Sequence, residues 1–404
     1  MARVAIVTSG HFCTNPRVWR EADALSARGH DVTVAGVSFD PAQAAQDRQM
    51  LAGRTWRHEV AADLIGTAAG RQLAWAWRRL EARAGRALLG LGVETPWALG
   101  YAVPALLRVA RRLRADLVQV HLEPALWVGA QLLREGARVG IDVEDWYSEN
   151  DAAQGHDEAP RRRFLQRLER EVLAGAVHRS TTSDAMAAAL AERYGCGRPV
   201  TIYNASAGRP LSPAPSAPAL RLVWFSQTLG PGRGLEDLCA ALPLLHGEWE
   251  VEIRARASAD ARAWLERLVP EAARPRVRVE PVVPPDELPA VVARHDVGLA
   301  LESPRFPNKD LTASNKIFEY LQNGLRVAAS DTAGQREVLA RVPNSGDTYP
   351  SGDAQRLAAL LNGWIETREA IRADRARLHQ AANATLAYEH QAGRLVESIE
   401  AALR

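Results

Sequence analysis

Short apolar segments alternate with segments of helical period along most of the chain. The first group is a strand at Val4–Thr8, a helix at Arg17–Arg28 that stops at Gly29, and a strand at Val32–Gly36. This order predicts two parallel strands joined by a crossover helix, with Gly29 at the carboxyl end of that helix. The chain therefore begins as an α/β protein.

The alternation continues in two series, which a change in composition separates. Residues 205–218 are mostly Pro, Ser, Ala and Gly without periodicity, which predicts a linker. At 404 residues the chain is also longer than one hydrophobic core usually supports. We expect a first domain at 1–204 and a second at 219–383, with a last helix at 384–404 packed back on the first domain.

The predicted elements support two similar domains. Before the linker they continue with Leu117–His121, Ala125–Glu135, Arg138–Val143, Arg162–Ala174, Val177–Thr182, Ser183–Tyr194 and Val200–Tyr203. After it they include Leu222–Ser226, Leu235–Leu245, Glu250–Ala255, Val297–Leu301, Ser314–Asn323, Arg326–Ser330 and one long helix at Asp353–Ala381. We therefore expect two Rossmann-like, doubly wound α/β domains that face a cleft, with ligands at the carboxyl ends of the strands.

Composition and charge exclude several classes of protein. The net charge of +2 is too small to indicate a nucleic-acid partner. Three widely spaced cysteines form neither a metal-binding spacing nor a disulfide framework. The amino-terminal apolar run is too short for a signal peptide, and no stretch has the length of a membrane span. We expect a cytoplasmic protein; its oligomeric state cannot be read from the sequence.

Residues 71–91 depart from the alternation. Trp75, Trp77 and Leu80 are interleaved there with several arginines. Two interpretations remain open: an amphipathic helix on the inner face of an anionic membrane, or a helix that covers the first domain or lines its acceptor side. The acceptor itself cannot be read from this region.

Ordered sequence segments carry a resemblance to a known family. They are TSGHFCTNPRVWREADALSARGHDVTV, ADLVQVHLEPAL, DVEDWYSE, RLEREVLAGAVHRSTTSDAMAAAL, PVTIYN, LGPGRGLEDLCAAL, DELPAVVARHDVGLAL and NKIFEYLQNGLRVAASDTAGQREV. Their order and spacing resemble the retaining GT-B-fold glycosyltransferases of family four. The resemblance implies transfer of a sugar from a nucleoside-diphosphate sugar, a UDP-sugar being favoured, with retention of configuration. It implies neither a metal nor a further cofactor; the acceptor would be a glycan, a natural product or a lipid-linked sugar.

A diphosphate donor requires fixed positive charge and backbone N–H donors. The predicted helix start at Ser314, Asn315 and Lys316 supplies both, since a helix amino terminus favours phosphate. Glu319 lies one turn further along, and in the family the matching glutamate accepts hydrogen bonds from the ribose. Lys309 and Lys316 are the only lysines of the chain, and Lys309 contacts either the donor or only its own loop.

Arg233 is the second predicted phosphate ligand. It lies in a glycine-rich loop between a strand and a helix, where the family carries a phosphate-contacting lysine or arginine. Two family features are missing: Leu311 occupies the place of a first glutamate, and Ser226, Gln227 and Thr228 occupy that of an earlier arginine.

In the first domain, candidate residues follow the predicted strands. Gly10 would let the backbone approach the donor. Asn15 and Arg17 are candidates for contact with acceptor or phosphate, and a salt bridge to Glu21 is an equally good role for Arg17.

The segment DVEDWYSE contains the candidate catalytic carboxylate. Glu144 stands where relatives carry a histidine beside the reacting sugar, and it would orient a hydroxyl, act as a base or stabilise the transition state. His121, at the end of a strand, either faces the ligand or is a satisfied sheet-edge histidine. The acidic cluster around Asp142 is expected to bind no metal.

Two other functions remain open beside transfer. One is a sugar-nucleotide epimerase of the same fold, and the other is a non-catalytic partner of another transferase. Retention of Arg233, Lys316 and Glu319 favours an active donor site over the second alternative.

Overall fold

The computed structural model describes residues 1–65, 69–150, 158–213 and 217–404. These residues divide into two compact units, Met1–Ile202 with Ala392–Arg404, and Tyr203–Gln391. Part of the predicted linker, at 214–216, lies outside the described residues.

The first unit contains a parallel sheet. Within its described residues the strands are β1 (Arg3–Thr8), β2 (Asp31–Ser38), β3 (Arg57–Asp63), β4 (Leu117–His121), β5 (Val139–Val143), β6 (His178–Thr181) and β7 (Val200–Thr201). Their spatial order is β3-β2-β1-β4-β5-β6-β7. The helices are α1 (Pro16–Ala27), α2 (Pro41–Leu51), α3 (Ala69–Gly90), α4 (Val103–Leu113), α5 (Glu123–Arg134), α6 (Ala159–Gly175) and α7 (Asp184–Tyr194).

The second unit has a parallel sheet of the same kind. Its described strands are β8 (Leu220–Thr228), β9 (Trp249–Arg256), β10 (Val277–Glu280), β11 (Val297–Ala300), β12 (Arg326–Ser330) and β13 (Gly346–Tyr349), in the order β10-β9-β8-β11-β12-β13. The helices are α8 (Leu235–Ala241), α9 (Ala259–Leu268), α10 (Leu288–Val292), α11 (Pro307–Leu311), α12 (Asn315–Gln322), α13 (Ala333–Arg341), α14 (Ala354–Glu366) and α15 (Arg368–Leu386).

The last helix, α16 (Tyr388–Leu403), returns the chain to the first unit. Its Leu395, Val396 and Ile399 are buried in one cluster with Val4 and Ile6 of β1. Apolar side chains spaced three and four residues apart lie on one helix face, which explains why this face is the one removed from water.

Two doubly wound parallel sheets confirm the predicted fold class. The predicted helix at Asp353–Ala381 is wrong, because α14 ends at Glu366 and α15 begins at Arg368. Both helices are amphipathic, so the apolar period alone does not reveal the break between them. The edge strand β3 was missed because no residue of it is fully buried, and it therefore has no apolar run.

In the described part of the chain, no helix has both the length and the apolar character needed to cross a membrane.

Candidate active site

Polar side chains form a row across the carboxyl ends of four strands in the first unit. The register pairs Thr8 of β1 with His121 of β4, His121 with Asp142 of β5, and Asp142 with Ser180 of β6. All four residues are buried. Because parallel strands end at the same edge of a sheet, ionisable groups from separate strands become neighbours there.

Asp142 is held by Arg17, which lies in the first turn of α1. The Arg17 Nε and Nη2 donate to the two carboxylate oxygens over 2.5 and 2.6 Å, and Ser180 adds a third hydrogen bond of 2.6 Å. Burial acts to raise the pKa of Asp142, but the Arg17 guanidinium outweighs it and holds that pKa well below its usual range. Arg17 therefore pairs with Asp142, and not with Glu21 as the helical spacing suggested.

His121 is completely buried between two carboxylates. Its Nε2 lies 3.0 Å from Glu21 and its Nδ1 lies 3.1 Å from Glu144. Burial acts to lower the pKa of His121, but Glu21, Glu144 and Asp142 outweigh it and raise the pKa to about 10. The ring is therefore an imidazolium that donates from both nitrogens, so in this structure it holds Glu144 and has no lone pair with which to act as a base.

Glu144 is the member of this network that reaches solvent. Its side chain is 17% exposed, whereas that of His121 is 0% exposed. Its Oε1 accepts hydrogen bonds from His121 and from the Asn15 amide, the latter over 2.6 Å. Among the described residues none donates to Oε2, which leaves this oxygen for a ligand. Asn15 uses its own oxygen to cap α1, so the cap also orients Glu144.

Three side chains of this network have atoms of the kind that bind metal ions, but most of these atoms already have hydrogen-bond partners. One atom each from His121, Asp142 and Glu144 lies within 4.8 Å of the others. Both oxygens of Asp142 accept from Arg17, and the protonated His121 has no lone pair to offer. A metal cation would have to displace these partners. The carboxylates are therefore already neutralised by Arg17 and by the protonated His121.

The turn after Glu144 is anchored by a buried carboxyl. Glu169 of α6 accepts from the Ser148 N–H over 2.9 Å, from the Ser148 hydroxyl over 2.6 Å and from the Tyr194 hydroxyl over 2.6 Å. Burial raises the pKa of Glu169 to about 7, against the hydrogen bonds that lower it. These contacts fix the backbone that follows Glu144.

The loop after β1 contains Gly10 and is held by its neighbour His11. The His11 Nδ1 donates to Asp47 over 2.6 Å, while Nε2 accepts the N–H groups of Phe39 and Asp40. A Cβ added at Gly10 would meet only the Phe39 ring, at 3.8 Å. The fold itself therefore does not require glycine at position 10, and a close approach to ligand stays a prediction.

In the second unit, Lys316 lies buried in the first turn of α12. Its Nζ contacts Glu302 over 2.5 Å and the Ser314 hydroxyl at 3.3 Å. Burial acts to raise the pKa of Glu302, but Lys316 and Lys309 outweigh it and lower that pKa. An ammonium has three N–H bonds, so one remains for a further acceptor.

Glu319 lies one turn after Lys316 on the same helix. Its two oxygens accept from the Arg209 guanidinium over 2.8 and 3.1 Å. The Asn323 amide donates to Oε1 over 2.9 Å, and the Ser206 hydroxyl lies 3.5 Å from Oε2. Glu319 is thus a fixed carboxylate, not a solvated helix residue.

The remaining predicted donor ligands surround α12 and the β8 loop. Asn315 is exposed and accepts from the Asn204 amide over 2.8 Å, while Lys309 is half-buried in α11. Ser314 precedes α12, but its hydroxyl donates to Glu302, so the first turn of α12 has no side-chain cap. The Ile317 N–H donates to the Ser314 carbonyl over 3.2 Å, but no side chain caps the turn, so its amino-terminal end remains suited to an anion.

Arg233 lies between two glycines with left-handed backbone. Gly232 has φ +74° and Gly234 has φ +76°, a backbone conformation that residues other than glycine rarely adopt. The Arg233 guanidinium donates to the hydroxyls of Ser226 and Thr228 over 2.9 and 3.1 Å. Within the part of the chain that the structure describes, no carboxylate pairs with it, so its charge is not neutralised by an acid.

Comparison with known families decides the identity of the amino-terminal part. Residues 16–205 match the family model described as Glycosyltransferase Family 4. The first unit is a glycosyltransferase family 4 domain. The matched residues include Arg17, His121, Asp142 and Glu144. No curated protein matches the sequence at a significant level.

Solved structures that are similar over the whole length of the chain show that it has the GT-B fold. The Anabaena protein Alr3699/HepE, in complex with UDP and glucose, has 16% identity and a TM-score of 0.71, over 99% of this chain and 100% of that one. Sucrose-phosphate synthase from Thermosynechococcus elongatus has 15% identity and a TM-score of 0.69, over 100% of both chains. The lipopolysaccharide outer core galactosyltransferase WaaB has 13% identity and a TM-score of 0.57, over 99% of both. Family and fold together indicate a glycosyltransferase.

Three charged residues of these two clusters escaped the sequence reasoning. Glu302 is the second residue after β11, and an acid near a strand end in the same stretch as both lysines was the available signal. Glu21 was considered only as a partner of Arg17. Arg209 lies in the segment predicted as a plain linker, where nothing in the local pattern marks it.

Proposed function

We propose that the chain transfers a sugar from a nucleoside-diphosphate sugar, a UDP-sugar being favoured, to an acceptor hydroxyl with retention of anomeric configuration. The observation that carries this proposal is that Lys316 and Glu319 lie one turn apart at the start of α12, which has no side-chain cap; Glu302 holds Lys316, and Arg209 holds Glu319. UDP, glucose and UDP-glucose are bound by Alr3699/HepE in its crystal structures, which supports the choice of nucleotide.

The charges of the second unit suit a diphosphate leaving group. The free N–H of Lys316, the backbone N–H groups at the start of α12 and the Arg233 guanidinium would stabilise the charge that develops on the phosphates. Fixed donors do this without reorganisation during the reaction. Glu302 holds the Lys316 ammonium in place, and Glu319 would accept a hydrogen bond from the ribose.

Glu144 is the proposed contact of the first unit with the reacting sugar or acceptor. His121 and Asn15 hold its Oε1, so Oε2 would accept a sugar hydroxyl or stabilise positive charge on an oxocarbenium-like transition state. Because His121 is buried and protonated, we assign it the positioning of Glu144. The epimerase and the non-catalytic partner have no observation of their own in their favour.

The central proposal is tested by calorimetric titration of UDP. We expect Glu319→Ala to weaken UDP binding about tenfold, because a hydrogen bond to a charged group contributes about 1.5 kcal/mol or more. Glu366→Ala, which removes an exposed acid from α14, is the matched control and should bind like the wild type. Equal affinity of the wild type and Glu319→Ala would refute the donor assignment.

We further propose that α3 docks on an anionic membrane surface, which favours a lipid-linked acceptor. Leu73, Trp77 and Leu80 lie on one face of this helix and are 71%, 61% and 55% exposed. The opposite face is buried through Ala82 and Leu89. A row of large, solvent-exposed apolar side chains along one helix face is typical of a helix that lies in a membrane interface.

Charge beside the stripe supports anionic lipid as the partner. Arg79, Arg83 and Arg86 follow one another at helical spacing along one side of the stripe, and all three are exposed. The guanidinium of Arg79 stacks on the Trp75 ring at 3.6 Å. Cationic side chains beside an apolar face match lipid phosphates beside acyl chains.

Vesicle co-sedimentation tests the docking of α3. The wild type should bind vesicles that contain phosphatidylglycerol more strongly than vesicles of phosphatidylcholine alone. Arg83→Gln with Arg86→Gln should lower binding about 10- to 30-fold, since each arginine contributes about 1 kcal/mol near an anionic surface. Leu73→Ala with Trp77→Ala should also lower it, whereas Val282→Ala, at an exposed apolar residue of the second unit, should not. Unchanged binding in both double variants would exclude α3 as the docking face.

A further inference from the structure

Residues 204–209, here called the strap, are hydrogen-bonded to α12, the helix that carries Glu319. The Gln322 side chain donates to the Ser206 carbonyl over 2.8 Å and accepts the Ser206 N–H over 2.9 Å. The His379 ring contacts the Arg209 carbonyl at 2.9 Å. A segment with its backbone polar groups paired in this way has a defined position, unlike a flexible linker.

The strap places Arg209 directly on Glu319. The two side chains are 17% and 10% exposed, and they form a two-pronged ion pair. A planar guanidinium that binds both oxygens fixes the plane of the carboxylate as well as its position. A lysine at the same place would supply charge without fixing the plane.

The hydrogen bonds leave one direction of Glu319 open. A carboxylate has about four lone-pair sites, two on each oxygen. Arg209 and Asn323 occupy both sites of Oε1, at 2.8 and 2.9 Å. On Oε2, Arg209 takes one site, and the only other contact among the described residues is the long one of 3.5 Å to Ser206. A strong donor from a ligand therefore fits Oε2.

We propose that Arg209 is a positioning residue of the nucleotide site, which turns Oε2 of Glu319 toward a ribose hydroxyl without contacting the donor itself. This rests on the proposed function, in which Glu319 accepts from the ribose. Without Arg209 the carboxylate loses the bidentate hydrogen bonds that define its orientation, and Asn323 holds only Oε1. Affinity for the ribose hydroxyls then falls, while contacts to the diphosphate persist.

The test compares UDP with 2′,3′-dideoxyuridine diphosphate, which has the same base and phosphates but no ribose hydroxyls. We expect the wild type to bind UDP about tenfold more tightly than the dideoxy analogue, as one hydrogen bond to a charged group predicts. In Arg209→Ala the affinity for UDP should fall about tenfold and that for the analogue should stay nearly constant. Retained binding of the analogue also shows that the variant is folded.

Two further variants separate positioning from charge and from general destabilisation. Arg209→Lys keeps the positive charge but cannot form the bidentate hydrogen bonds. Its preference for UDP over the dideoxy analogue should therefore lie between those of the wild type and Arg209→Ala. Arg377→Ala removes a two-pronged arginine on the exposed side of α15 and should leave the preference unchanged.

The possible results are distinct. An equal loss of both ligands in Arg209→Ala, or an unchanged preference for UDP, overturns the positioning role. Tighter UDP binding in Arg209→Ala also overturns it, since Arg209 would then compete with the ribose. If the wild type binds the diphosphates but does not distinguish them, the ribose contact of Glu319 is wrong, and if it binds neither, the proposed function fails as well.

Discussion

Lys316→Ala is expected to weaken UDP binding about 10- to 100-fold, more than any other single change in the second unit. The ammonium is the buried cation at the start of α12, and a hydrogen bond between charged groups contributes about 1.5–3 kcal/mol. Calorimetric titration of UDP measures the effect directly. With a UDP-sugar and an acceptor in hand, kcat should fall further than binding, because the phosphates gain charge in the transition state.

Loss of Lys316 also leaves Glu302 buried without its cation, so a control for stability is needed. Lys316→Ala combined with Glu302→Gln removes that unpaired charge and should recover the thermal stability that the single variant loses. The UDP affinity of the double variant should nevertheless stay low. If the double variant binds UDP like the wild type, Lys316 is a structural partner of Glu302 and not a phosphate ligand.

The alternation of apolar and helical segments predicted both sheets because buried parallel strands read as continuous apolar runs. Val4–Thr8 and Leu117–His121 are such strands, and both were predicted within a residue of their observed bounds. The apolar pattern is weak where burial is partial, as in β3, and it continues unbroken where two amphipathic helices meet, as at Thr367. In both cases the periodicity contains no signal of the feature that was missed.

The charged clusters show a second limit of sequence reasoning. Lys316 and Glu319 were predicted because both lie near the start of one predicted helix, where helical spacing makes them neighbours, and because the resembling family carries a glutamate that matches Glu319. Arg209 and Glu319 are 110 residues apart, and Arg17 and Asp142 are 125 residues apart. Local spacing offered Glu21 as the partner of Arg17, yet strand register places Asp142 within reach and leaves Glu21 for His121. Such pairs follow from topology and not from local pattern.

Arg17→Met is expected to destabilise the first unit by about 3–5 kcal/mol, the usual cost of leaving a buried charge without its partner. Asp142 is only 2% exposed, and its remaining donors would be Ser180 and the more distant His121 ring. Chemical denaturation followed by tryptophan fluorescence measures the change. Arg17→Met combined with Asp142→Asn should recover most of the loss, since no uncompensated carboxylate then remains.

The pH dependence of this variant distinguishes a structural ion pair from a ligand contact. In the wild type the pKa of Asp142 is lowered in the folded state, so its stabilising effect is full above the unfolded pKa of about 4 and is lost as the pH falls. Without Arg17, burial raises that pKa, so the folded variant binds a proton more readily than the unfolded chain and gains stability on acidification. The difference in unfolding free energy between wild type and Arg17→Met should therefore shrink as the pH is lowered toward about 4. A difference that is small and independent of pH would mean that the Arg17–Asp142 pair does not stabilise the fold, and that Arg17 is free to serve a ligand.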